Sequence, residues 1–143
     1  MELHQERVLK FLFVLIWVLA VAHMMAEVYY LYWVFGWYDI MTHFLGGLWV
    51  GMAFLWIWYL SGYVGEIKAP DKKALYIALL AGLVIGILWE GYEYIVWIWS
   101  GTGLPQNYIP DTTLDIVVDI LGAFLGYFVF LKLTHDTETD TKT

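Results

Sequence analysis

Four apolar stretches, each long enough to cross a lipid bilayer, decide what this chain can become. A spanning helix needs about 20 mostly apolar residues. The stretches run from about Val8 to Phe35, Tyr38 to Leu60, Lys73 to Ser100 and Thr112 to Leu133. Lipid offers no partner for exposed backbone N–H and C=O groups, so each stretch must close its hydrogen bonds internally as a helix. The links are short: Gly36-Trp37, then Ser61 to Lys72, then Gly101 to Asp111. Short links between successive helices predict an antiparallel up-down bundle. The expected fold is all-α, a four-span transmembrane helix bundle in a single domain over residues 1–133. The polar tail over 134–143 lacks periodicity and reads as disordered.

Composition agrees. Hydrophobic residues make up 62% and charged residues 15%, against about 25% charged in soluble domains. The lipid bilayer is the first partner to expect. The same composition excludes a nucleic-acid binder, and a homo-oligomer is a further arrangement left open. With no cysteine, thiol nucleophiles, thiolate metal sites and disulfides are excluded.

All seven basic residues, Arg7, Lys10, Lys68, Lys72, Lys73, Lys132 and Lys142, fall on one side of the spans. By the positive-inside rule this predicts a multi-pass protein of the cell (inner) membrane with both termini cytoplasmic. Arg7, Lys10 and Ala20-Val21-Ala22 also resemble a signal peptide with a small-residue cleavage site. The apolar run continues unbroken to Phe35, which favours a span.

The fourteen acids divide evenly. Glu2, Glu6, Glu66, Asp71, Asp136, Glu138 and Asp140 balance the basic side. Glu27, Asp39, Glu90, Glu93, Asp111, Asp115 and Asp119 lie at the other end of the spans, with His23 and His43 and no Lys or Arg. His23/Glu27, Asp39/His43, Glu90/Glu93 and Asp111/Asp115/Asp119 are spaced three or four apart, which puts side chains on one helix face. Small residues continue the same faces: Gly47 and Gly51, Ala78, Gly82 and Gly86, then Gly122, Ala123 and Gly126. Small residues at this spacing mark close helix contact in membranes. The acids are therefore expected inside the bundle, above a glycine-lined floor, in a site that opens outward.

A single acid at the bilayer centre costs roughly 2.5–3.5 kcal/mol on insertion scales. Seven like charges cannot all stay ionised unpaired, so protons or cations must neutralise them. Carboxylates with imidazole suit a divalent metal such as Mg, Mn, Fe or Zn. The expected metal ligands are His43, Glu90, Asp115, Asp119, Asp111, Glu27 and His23. Glu93 and Asp39 are the candidate general bases of a metal-dependent hydrolase at the outer leaflet. Blander roles compete: Asp111 and Asp39 as helix N-caps, His23 as a hydrogen-bonded bundle histidine, Glu93 at the outer interface, Trp89 in packing or lipid contact. A proton- or cation-coupled transporter and a structural polar cluster are the alternative functions.

The stretches Asp39-Ile-Met-Thr-His43-Phe-Leu-Gly-Gly47, Trp89-Glu90-Gly-Tyr-Glu93 and Asp111-Thr-Thr-Leu-Asp115-Ile-Val-Val-Asp119 resemble the YjdF-type bacterial inner-membrane family. At greater distance they resemble the VanZ-like proteins. The resemblance covers about Trp37 to Phe128. It implies Asp39, His43, Glu90, Glu93, Asp111 and Asp115 as site residues, and it implies no reaction.

Overall fold

The computed structural model describes residues 2–64, 67–101 and 103–135. Four long helices dominate: α1 (Glu2–Tyr29), α3 (Gly36–Tyr59), α4 (Ala74–Ser100) and α5 (Tyr108–His135), with a single-turn helix, α2 (Leu31–Val34), between the first two. All four long helices have the length and apolarity to cross a membrane. Their outer faces carry exposed large apolar side chains from Phe13 and Trp17 on α1 to Phe124 and Phe128 on α5. Such a surface is stable in lipid and not in water. The protein is an all-α, multi-pass membrane bundle.

The first span ends earlier than its apolar run. Tyr30 adopts φ 57°, ψ 35°, a left-handed conformation that costs a residue with a Cβ roughly 1–2 kcal/mol. Among the described residues it is the one non-glycine with positive φ. The chain turns from Tyr30 through α2, and α3 starts at Gly36. Gly36 and Trp37, expected as the link, are thus helical. Aromatic interfacial residues suit a helix end and a turn equally, so apolarity does not locate the break. Gly101, at φ 72°, closes α4 as its left-handed C-cap. α5 begins four residues before the expected Thr112 and continues two beyond the expected Leu133. The rest of the expected tail, 136–143, lies outside the described residues, as do Glu66 and Met1.

α5 is the centre of the bundle. It packs along α3 and α4 and also reaches α1. The glycine stripes explain the closeness. A Cβ on Gly47 would collide with the Asp119 carbonyl, and one on Gly122 with the Phe44 carbonyl. The pairs Gly47–Asp119, Gly51–Ala123 and Gly126–Leu48 advance together along both helices, so α3 and α5 run parallel. α4 runs against them, with Gly82 on Ala123 and Gly86 on the Asp119 side chain.

α1 is the outlier, with 11% of its span buried against 33–39% for the others. It is held to α3 by Tyr38 Oη–H donating to Ala22 O (2.9 Å) and Trp49 Nε1–H donating to Leu12 O (3.0 Å). The apolar core fills the end that carries the basic residues, around Val8, Met52, Leu55, Tyr59 and Phe130. There the Gln5 side chain donates to Leu60 O, and Tyr59 Oη–H donates to Asp71 Oδ1 at 2.6 Å. Asp71 also accepts from the Lys73 amide (2.8 Å). These two donors hold its carboxyl below the usual range. The other end of the bundle holds the acids.

Candidate metal centre

The stripes that bring α3, α4 and α5 together carry their polar residues to one point. His43, Glu90, Asp115 and Asp119 are respectively 6%, 5%, 4% and 6% exposed. His43 is the hub. Its Nδ1 lies 3.3 Å from Asp119 Oδ2. Its Nε2 lies 3.7 Å from Asp39 Oδ1 and 3.9 Å from Glu90 Oε1. Asp39, His43 and Asp115 each present one ligand atom, all within 4.8 Å of one another. An ion bound at the usual 2.0–2.2 Å would draw its donors to about 3 Å apart, so a small closure suffices.

The site does not open outward as the sequence suggests. The burial of the cluster overturns that expectation, and with it the outer-leaflet hydrolase built on it. One face of polar residues at the end of a span is compatible with an open vestibule or a closed core. The backbone contact at Gly47 and Gly122 pulls α3 and α5 so close that the core closes.

The remaining expected residues separate. Asp39 is half-buried and belongs to the metal-competent trio rather than standing apart from it as a base. It also lies inside the first turn of α3, whose N-cap is Phe35, so it is not the cap. Asp111 lies in the first turn of α5, three residues beyond its start, and is exposed. There it complements the helix dipole and is not one of the three grouped ligands. Glu27 is exposed on α1 and takes no part in the cluster. His23 is exposed too; its Nδ1 pairs with Tyr32 Oη at 2.8 Å and its ring meets Trp89 edge-on at 6.2 Å. Glu93 is half-buried and accepts from Trp89 Nε1–H at 2.8 Å.

Sequence reasoning placed Trp89 in packing or lipid contact and gave Tyr32 no role beyond the interface. The four-residue spacing of Trp89 and Glu93 was the available signal for the first. Nothing local signals the second, because Tyr32 meets His23 through the turn at Tyr30.

Chemically the cluster is lopsided. It gathers four carboxylates around one imidazole, and among the described residues no Lys or Arg pairs with them. Buried charges persist when paired. Glu90 Oε1 is buried and meets no hydrogen-bond donor among the described residues. That atom faces the same nitrogen, His43 Nε2, that faces Asp39.

The family model described as predicted membrane protein (DUF2238) matches residues 4–136. The chain belongs to this family. The DUF2238 match runs from the start of α1 through the end of α5, so it covers every helix that builds the cluster. No curated protein and no solved structure matches the chain.

Proposed function

We propose that this protein holds a divalent metal ion inside its membrane bundle. Asp39, Asp115 and His43 through Nε2 supply the donors, and Glu90 adds a fourth oxygen. Asp119, on the other imidazole nitrogen, fixes the tautomer and ring orientation, the usual role of a carboxylate behind a metal-bound histidine. The observation that supports this reading most is the division of the His43 ring. Nδ1 is engaged by Asp119, while Nε2 is directed at Asp39 and at an otherwise unpartnered Glu90 oxygen. Mixed carboxylate and imidazole donors suit Mg, Mn, Fe or Zn. The ion also offsets carboxylate charge that the chain itself leaves unpaired.

Elemental analysis of the purified protein tests the reading. Metal should be present in stoichiometric amount and fall sharply in His43→Ala and Asp115→Asn. It should be retained in Asp71→Asn, at the opposite end of the bundle. Wild type that carries no metal, and melts identically with chelator and with added divalent ions, would sink the proposal.

We further infer that the bundle lies in the cell's inner membrane with both termini cytoplasmic. The placement of all seven Lys and Arg at one end supports this. A reporter fused after Thr143 should be cytoplasmic, and a tag near Gly103 reachable from outside; the reverse would invert the orientation. Within the family, the likeness to YjdF-type and, more remotely, VanZ-like proteins rests on the motif order around Asp39, Glu90 and Asp115.

A further inference from the structure

A cleft separates α1 from α4. α1 lies along α3, yet no α1 Cα comes within 8 Å of an α4 Cα. The space between them is a cavity of about 290 Å³, at the lower end of the range for small-molecule sites. Its wall changes character along its length. One end presents Asp39, Glu93, His23 and Tyr32; the other presents Ile16, Val50 and Ile85. From His23 to Ile16 on α1, Asp39 to Val50 on α3 and Glu93 to Ile85 on α4, this gradient spans about 10–17 Å at 1.5 Å per residue. The polar end lies toward the turn at Tyr30, where α1 gives way to α3, and the apolar end toward mid-helix. A polar surface grading into an apolar middle over such a distance is the profile of one bilayer leaflet.

The cleft edges, Ile16 on α1 and Trp89 on α4, are exposed on the lipid-facing surface. Across the polar end the His23 ring meets Trp89, and Trp89 donates to Glu93. The acids here, Asp39, Glu93 and Asp119, are of one sign, and no Lys or Arg of the chain lies near them in sequence. An anionic head is repelled there; a cationic one is matched.

We propose that the α1–α4 cleft takes a long-chain amine or ammonium amphiphile from the surrounding leaflet, its head against Glu93 and its chain along Ile16, Val50 and Ile85. This site goes beyond the metal reading, with which it shares a wall: Asp39, His43 and Asp119 also line the cavity, and Glu93 is the carboxylate the metal reading leaves unused. A metal on Asp39, His43 and Asp115 leaves Glu93 free to face the cavity. Entry is lateral, through the gap between the two helices, because the amphiphile already resides in the bilayer.

Photolabelling tests the site. The full-length protein in phosphatidylcholine nanodiscs is exposed to a dodecyltrimethylammonium analogue with a diazirine at the chain end. Labels should concentrate on Ile16, Val50 and Ile85, and unlabelled dodecyltrimethylammonium should displace them at least about tenfold better than dodecyl sulfate. Glu93→Gln should weaken that displacement about tenfold, because the ionic attraction between the carboxylate and the ammonium head is lost. Ala20→Trp, which fills the cleft from α1, should remove the labels; Val84→Trp, on the exposed face of α4 outside the cleft, should not. Labels spread over all exposed helix faces and unchanged by Ala20→Trp would overturn the proposal, as would equal displacement by dodecyl sulfate. Metal content measured on the same samples keeps the two readings apart. Metal-free protein with cleft labelling upholds the amphiphile site and defeats the metal centre, and metal-loaded protein without it does the reverse.

Discussion

His43 Nδ1 sits 3.3 Å from Asp119 Oδ2, joining α3 to α5 at the point where Gly47 lets their backbones meet. The same contact that packs the bundle therefore aims the imidazole. Asp119→Ala should leave the metal ligands in place and lower metal affinity about 10–100-fold, the usual cost of losing such a partner. Asp119→Asn, which keeps a hydrogen-bonding group, should cost less. Metal titration of the detergent-solubilised variants measures both; equal affinity in all three proteins would remove Asp119 from the centre.

Metal binding should strengthen as pH rises, because Asp39, Asp115 and His43 must be deprotonated to act as ligands. Stripping the metal at neutral pH should lower the melting temperature, since the carboxylates then repel. Acid should restore part of that loss by protonating them. Thermal melts with and without chelator, at acidic and neutral pH, should show the metal's stabilisation shrinking as pH falls.

Two adjacent glycines make a controlled pair. A Cβ on Gly46 meets nothing within 4 Å, whereas one on Gly47 runs into the Asp119 backbone. Gly46→Ala should be neutral or stabilising by up to about 1 kcal/mol, the helical preference of alanine over glycine. Gly47→Ala should cost about 1–3 kcal/mol, the range for overpacking, and should weaken metal binding as well because Asp119 must shift. Comparable melting temperatures for the two variants would contradict the close α3–α5 contact.

Asp71 predicts a separate acid transition at the other end. Its carboxyl lies below its ordinary value of 3.8 because Tyr59 Oη–H and the Lys73 amide donate to it. A depressed carboxylate contributes its full stabilisation above the unfolded pKa and loses it as pH falls through the lower folded value. The melting-temperature gap between wild type and Asp71→Asn should thus be constant from neutral pH to about pH 4 and close below it. The effect should be small, because the group is solvent-exposed. A gap that instead closes between pH 5 and 7 would assign the contribution to another group.

Much of the architecture is legible in the residues one span at a time. The apolar lengths of the four stretches require helices in lipid. The stripe His43-Gly47-Gly51 and its counterparts on α4 and α5 identify the inward faces, because carboxylates and small residues both avoid lipid there. Those faces lead directly to His43, Glu90, Asp115 and Asp119. The bend at Tyr30 was not legible, since a left-handed tyrosine leaves no compositional trace. Nor was the separation of Glu90 from Glu93. Three-residue spacing permits a shared face, and only the folded bundle sets Glu90 against His43 and Glu93 against Trp89.

The sequence by itself determined the membrane, the four helices, the polarity of the bundle and the faces that meet. Periodicity and charge are properties of a single helix, and they survive without knowledge of its neighbours. Tertiary structure alone decided that the cluster is buried, that Asp39 joins it while Asp111, Glu27 and His23 do not, and that a cleft remains between α1 and α4. Each of those depends on how closely two helices approach. That distance is set by backbone-to-backbone contact at Gly47 and Gly122 and by the Asp119 side chain against Gly86, between residues far apart in the chain.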